Sequence, residues 1–327
     1  MGLRLPDKWV WDFWLAHDGE RHHAFYLQAP RALGDSSLRH RNATIGHAAS
    51  TDLRAWTVLP DALGPGEPGS WDDIATWTGS VIRHGEGWHM LYTGIGSADD
   101  GLVQRVGLAT SGDLVHWTKH PANPVLEADG RWYELLDLTR WRDQSWRDPW
   151  LFPDPGGDGV RVLLTARSPE GASDGAGVVA QARSADLVRW EVLPPLTSPG
   201  DFAQVECPQL VDVDGREIVL FSCLTEDHSS ARRARLGEAG ATGTFTFGKV
   251  DGAFVPGRGP IADPAGPAGP LYAGKLVELD RGDWAFLGFR GAGDRDFVGE
   301  LSDPLPVRID ENGEPRIVVD APIPANP

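Results

Sequence analysis

Apolar and polar positions along this chain alternate in short runs, and few segments hold the 3.6-residue period of an amphipathic helix. The runs at residues 23–27, 88–92, 161–165, 217–221 and 283–289 read as β-strands. Clusters of Gly, Pro, Asp and Asn bound each of them, drawn from the chain's 40 glycines and 26 prolines. The pattern predicts an all-β protein of short strands.

A repeat organises those strands. Ala48-Ala49-Ser50-Thr51-Asp52-Leu53-Arg54-Ala55-Trp56 has the form A-x-S-x-D-L-x-x-W, and the form returns at Ala109 to Trp117 and at Ala182 to Trp190. In each copy a β-run ends in A-x-S, the Asp-Leu pair makes a polar turn, and the Trp opens the next strand. The Asp can hydrogen-bond its own backbone there, with Leu and Trp packed beneath it. A period of roughly 60 to 70 residues suits a four-stranded propeller blade with long connections. The 327 residues then predict a single five-bladed β-propeller over 1–327, with four-stranded antiparallel blades around a central pocket. The Gly/Pro-rich run at 255–271 reads as a long loop between blades.

Three of the chain's 14 tryptophans fall in Trp9-Val10-Trp11-Asp12-Phe13-Trp14, around one carboxylate. Strand alternation puts Val10, Asp12 and Trp14 on one face and Trp9, Trp11 and Phe13 on the other. A charge among aromatics is disfavoured unless hydrogen bonds or cations compensate it. Asp148 sits in Ser145-Trp146-Arg147-Asp148-Pro149-Trp150, where alternation sends Arg147 and Asp148 to opposite faces. Glu206 stands in Gln204-Val205-Glu206-Cys207-Pro208-Gln209, a setting that favours a raised pKa and a general-acid role. A propeller brings such residues together, because the inner strand of every blade lines one pocket.

Charge narrows the partners. The formal net charge of −17 argues against nucleic acid and anionic membranes, which want basic surfaces. The pattern also lacks the roughly 20-residue apolar stretch of a membrane span. Two cysteines, Cys207 and Cys223, and the absence of an apolar leader before Trp9 lead to an expected cytoplasmic location. The histidines lack the helical pairing of a zinc site, so neither a metal nor a cofactor is expected. Asp72-Asp73 and Asp99-Asp100 read as solvated turns.

The order and wording of these segments resemble glycoside hydrolase families 32 and 68, the β-fructosidase and levansucrase families. Val10-Trp11-Asp12-Phe13-Trp14 is similar to the V-W-D-x-W nucleophile motif of the levansucrase side. Trp77-Thr78-Gly79-Ser80 is similar to the W-S-G-S segment of that side and the F-S-G-S of invertases. Trp146-Arg147-Asp148-Pro149 matches the shared R-D-P motif, and Glu206-Cys207-Pro208 the E-C-P of the invertase side. Gly46-His47-Ala48 also resembles the first blade of the invertase family. The likeness covers residues 9–225.

The resemblance implies a retaining glycosidase or transglycosidase acting on β-fructofuranosides, such as sucrose or short fructo-oligosaccharides. It implies Asp12 as nucleophile, Glu206 as acid/base and Asp148 as transition-state support. Trp11, Gln28, Trp77, Thr78 and Arg147 would bind the substrate, a small carbohydrate. The chemistry asks for an ionised Asp12 and a protonated Glu206, with Arg147 holding Asp12 or Asp148 as an anion. The invertase pattern has Asn before the nucleophile where this chain has Trp11. The levansucrase pattern has Arg after the acid/base where this chain has Cys207. The chain is thus a hybrid of the two, and from its length no C-terminal β-sandwich of the kind usual in invertases is expected. The alternatives are a pentofuranosidase of arabinofuranosidase type and a non-catalytic carbohydrate-binding propeller. Oligomeric state is not legible from these features.

Overall fold

Twenty strands form five four-stranded antiparallel sheets among the residues described in this computed structural model, which are 2–318 apart from 214, 267, 280–281, 292–296 and 312–313. The ends of the expected 1–327 domain, residue 1 and residues 319–327, lie outside the described residues. The first blade is β1 (Lys8–His17), β2 (His22–Pro30), β3 (Thr44–Ser50) and β4 (Thr57–Leu63). The second is β5 (Ala75–His84), β6 (Gly87–Ile95), β7 (Arg105–Ser111) and β8 (Thr118–Lys119). The third is β9 (Trp146–Pro153), β10 (Val160–Arg167), β11 (Gly177–Ser184) and β12 (Glu191–Leu193). The fourth is β13 (Glu206–Val213), β14 (Arg216–Cys223), β15 (Gly243–Val250) and β16 (Ala253–Pro256). The fifth is β17 (Leu271–Glu278), β18 (Trp284–Arg290), β19 (Leu305–Ile309) and β20 (Pro315–Ile317).

Within each blade the strands pair in chain order. The inner strands pack side by side, β1 on β5, β5 on β9, β9 on β13, β13 on β17, and β17 back on β1, which closes a five-bladed propeller. The N-terminal segment helps close the ring, since Val10 N–H donates to Gly299 O and Leu301 N–H to Leu3 O, each over 3.0 Å. The five apolar runs of the sequence are the second strands of the five blades, and the 255–271 run links the fourth blade to the fifth.

The A-x-S-x-D-L-x-x-W repeat is the turn from third to fourth strand in blades one to three. Asp52 Oδ1 accepts from the N–H groups of Arg54 and Ala55 over 2.8 Å each, and Asp113 and Asp186 do the same in their blades. Leu53, Leu114 and Leu187 adopt positive φ angles of 59°, 65° and 63°, a conformation that side chains tolerate poorly. Burial offsets the strain, because all three leucines are at most 1% exposed and a fully buried Leu contributes ~1.5–3 kcal/mol. Asp72 is not a solvated turn residue. It is buried and accepts from Tyr92 Oη (3.0 Å) and Lys119 Nζ (2.5 Å).

The core lies between the blades. One cluster joins blade one to blades two and five around Trp11, Phe13, Trp14 and Phe25. Others fill the spaces between blades two and three, three and four, and four and five. Gly79 is required by this packing, because a Cβ there would lie 2.5 Å from the Leu91 carbonyl oxygen and 3.0 Å from the Trp14 ring. No helix of the described residues is long and apolar enough to cross a membrane.

Candidate active site

Every inner strand carries a register shift at the same level. It falls between Trp11 and Phe13 in β1, between Trp77 and Gly79 in β5, and opposite Leu163–Thr165 of β10 in β9. In β13 it falls between Glu206 and Gln209, and in β17 between Tyr272 and Lys275. Such bulges insert a residue, kink the strand and re-aim side chains. Asp12 and Thr78 are the inserted residues of β1 and β5, so the simple alternation expected through Asp12 stops there. Asp148, Cys207 and Ala273, in the other three bulges, have φ angles of 57°, 54° and 48°. The ring of bulges turns five strands toward one point.

That point is a cavity of about 450 Å³. Asp12, Asp148 and Glu206 all line it, as do Trp11, Trp77, Thr78 and Arg147. Gln28 does not. It pairs across from Val10, is buried inside the first blade and donates from Nε2 to Thr44 Oγ1 (3.3 Å). A larger cavity of about 810 Å³ lies toward the other end of the inner strands, bounded by Ala16 and His17 of β1 and by Lys275 to Glu278 of β17. It holds none of the three carboxyls, so chemistry favours the smaller one.

Thr78 Oγ1 donates to Asp12 Oδ2 (3.0 Å). Asp148 Oδ2 accepts from Thr165 Oγ1 (2.8 Å) and from the Cys207 N–H (3.1 Å). Arg147 reaches Glu206 Oε1 with Nη2 (2.5 Å) and has Nε 3.6 Å from Asp148 Oδ2. The expectation that Arg147 and Asp148 point apart therefore fails, because the positive φ at Asp148 swings its carboxylate back. Gln104 and Gln204 fix the guanidinium through Nη1 (3.1 Å) and Nη2 (2.7 Å). At the rim, Trp77 Nε1 donates to His40 O (2.7 Å).

Sequence reasoning misses two residues of the fifth blade. Tyr272 donates its hydroxyl to Glu206 Oε2 over 2.5 Å. Lys275 is buried and donates from Nζ to the Cys207 carbonyl over 2.8 Å. Both lie beyond residue 225, and L-Y-A-G-K-L has no local oddity to mark it.

The electrostatics reverse the protonation expected from sequence. Burial, together with the charges of Asp148 and Glu206, pushes Asp12 up to about 7, against the Thr78 hydrogen bond and Lys275. Burial also pushes Glu206 up, but Arg147 and the Tyr272 hydroxyl outweigh it and hold the group below the ordinary glutamate value. Asp148 is raised by burial and by Glu206 despite Arg147. The guanidinium thus serves Glu206 and Asp148, not Asp12. Asp12, Asp148 and Cys207 offer ligand atoms within 4.8 Å of one another. Thr165 and the Cys207 N–H donate to Asp148 Oδ2 and Thr78 to Asp12 Oδ2, so hydrogen bonds within the protein hold both carboxylates in place.

Residues 14–278 match the profile of the glycosyl hydrolases family 32 N-terminal domain. The chain is 32% identical over 201 residues to the β-fructofuranosidase, insoluble isoenzyme 6, of Oryza sativa subsp. japonica, covering 59% of this chain and 30% of that protein. It is 29% identical over 304 residues to the β-fructofuranosidase, insoluble isoenzyme CWINV5, of Arabidopsis thaliana, covering 84% and 49% respectively. The chain therefore spans less than half the length of these curated relatives. Inulosucrase from Halalkalicoccus jeotgali bound to kestose superposes with a TM-score of 0.76 at 23% identity, over 97% of this chain and 89% of that one. At such identity the likeness speaks for the fold, a propeller shared with known sugar enzymes. The family profile begins within β1, two residues after Asp12, and runs to the end of β17, so it takes in the bulges of the other four inner strands; the chain belongs to glycosyl hydrolases family 32.

Proposed function

We propose that this propeller is the catalytic domain of a retaining enzyme acting on β-fructofuranosides, sucrose or short fructo-oligosaccharides, by hydrolysis or fructosyl transfer. The observation that carries the reading is the meeting of Asp12, Asp148 and Glu206, from three blades, in one cavity where Arg147 holds two of them.

Asp12, ionised, attacks the anomeric carbon while Glu206 gives its proton to the departing glycosidic oxygen, leaving a fructosyl ester on Asp12. Glu206, now a carboxylate, takes a proton from water or a sugar hydroxyl. That oxygen displaces Asp12, and both carboxyls return to their starting state. Asp148 accepts hydrogen bonds from ring hydroxyls and stabilises the oxocarbenium charge. Trp11 and Trp77 give the sugar an apolar wall and exclude water.

The proton must lie on Glu206 for attack, whereas the surroundings of the two groups favour it on Asp12. Interacting carboxyls titrate as a unit. The singly protonated cavity is therefore a mixture, with the productive arrangement its minor part. The same electrostatics favour a second reading, the mirror assignment, in which Glu206 attacks and Asp12 donates.

Sucrose, 1-kestose and an aryl arabinofuranoside assayed side by side test the substrate class. The reading expects fructose release from the first two, and a fall of about 10³-fold or more in Asp12→Ala and in Glu206→Gln. Release from the pentoside alone would contradict it, as would unchanged activity in both variants, which a purely binding propeller predicts.

A further inference from the structure

We infer that Lys275 is a positioning residue for the reaction, the buried counter-charge that favours the Asp12 anion from beneath the cavity floor. The inference rests on Asp12 as nucleophile and adds a role on a strand that the sequence motifs do not reach.

Asp148 is buried and Asp12 and Glu206 are half-buried, and the buried cations Arg147 and Lys275 approach these carboxyls from different sides. Arg147 contacts Glu206 and Asp148. Lys275 follows the β17 bulge, further along the strand than Tyr272, and is 3% exposed. Its Nζ is anchored to the carbonyl of Cys207, whose Sγ lies within 4.8 Å of the Asp12 and Asp148 carboxylates. The Cys207 N–H meanwhile donates to Asp148. One bulge residue thus ties the ammonium and the carboxylates together.

Several groups face Asp12. Asp148 of β9 and Glu206 of β13 repel its charge, while Thr78 of β5 and Lys275 of β17 favour it. Arg39, His40, Arg142, Asp143, Arg147 and Glu226 line the same cavity. Burial lowers the Lys275 ammonium's own pKa, and Cys207, Asp148 and Asp12 oppose that effect. A Lys buried this way is costly unless it is paired. The Cys207 carbonyl and the nearby charges of Asp148 and Asp12 compensate it here.

A pH profile separates this role from a structural one. Productive protein needs Asp12 ionised, so each unit by which its pKa rises costs tenfold in activity wherever Asp12 is protonated, and nothing where it is already ionised. Lys275→Met should therefore lower kcat/KM for sucrose about tenfold or more near pH 5, with the deficit closing toward about pH 9. Lys275→Gln keeps an N–H donor for the Cys207 carbonyl but carries no charge, and should show the same slope. A deficit independent of pH in both variants would overturn the proposal, as would rescue by Gln.

Thermal melting supplies a readout that does not depend on activity. Asp12→Asn should restore roughly half or more of the Tm lost on Lys275→Met, because it removes the charge left unpaired. Two outcomes would overturn the proposal: additive effects, or a double variant that fails to fold when Lys275→Met alone also fails. A folded double variant in that case supports it. If Asp12→Asn alone keeps full activity, the nucleophile reading has failed. The melting cycle still reports whether Lys275 and Asp12 are coupled.

Discussion

Tyr272 donates its hydroxyl to Glu206 Oε2 over 2.5 Å, from an inner strand 66 residues further along the chain. The bond favours the carboxylate form of Glu206 and is one reason its pKa lies below the ordinary value. Tyr272→Phe removes it and should raise the Glu206 pKa. The fraction of Glu206 carrying the proton then grows on the alkaline side, while the acid side, set by Asp12, is unchanged. The ratio of variant to parent kcat/KM should climb with pH, by up to about tenfold for each pH unit that the Glu206 titration moves. A pH-rate series on sucrose with both proteins checks the slope.

Asp12 makes the fold pH-dependent. Its pKa rises from 3.8 in the ordinary state to about 7 in the folded one. Between those values the native protein holds a proton that the unfolded chain has lost, so this group's contribution to stability falls as pH rises through that window. Asp12→Asn escapes the penalty. It should match the parent near pH 4 and exceed it by a few degrees in Tm at pH 8. Asp12 is only half-buried, and solvent screening keeps the gain well below the full ~1.4 kcal/mol per pH unit. Melting both proteins across that range measures the difference.

His47 acts in the opposite sense. It stacks on Phe25 with ring centroids 4.3 Å apart and bonds from Nε2 to His23 Nδ1 over 2.9 Å, while Asp18 holds the far side of His23. Burial first, then the charge of His23, lowers its pKa from 6.5 to about 3. The stability it contributes is complete above pH 6.5 and is lost as pH falls toward 3, at up to ~1.4 kcal/mol per pH unit. His47→Gln should be less stable than the parent at pH 7, through lost stacking. The gap should narrow by pH 4, as read by urea midpoints at the two pH values.

Much of this fold is legible in the sequence because its signals are local. The runs at 23–27 and 161–165 show alternation, and the Asp52, Asp113 and Asp186 turns close on their own backbone. The bulges are not legible. One inserted residue at Asp12 or Asp148 changes the facing of a strand without changing its composition, which is why Arg147 and Asp148 meet instead of diverging. The wording around Gln28 resembles a binding segment and points it to the site. Its register opposite Val10, a tertiary property, puts it inside the blade instead. Asp72 reads as a turn residue, and only the packing of Tyr92 and Lys119 shows it buried. Tyr272 and Lys275 stand on a strand that reads as ordinary, and only closure of the propeller carries them to Glu206 and Cys207.

The central claim is that Asp12 forms the covalent bond. A fructosyl fluoride needs no protonation to depart, so it loads the nucleophile even in Glu206→Gln, where turnover of the intermediate is slow. Rapid quenching, digestion and peptide mass spectrometry then locate the sugar. With Asp12 as nucleophile, one fructosyl unit is predicted on the peptide containing Asp12 in Glu206→Gln, and none in Asp12→Asn. A fructosyl unit on the Glu206 peptide of Asp12→Asn would contradict the claim and establish the mirror assignment.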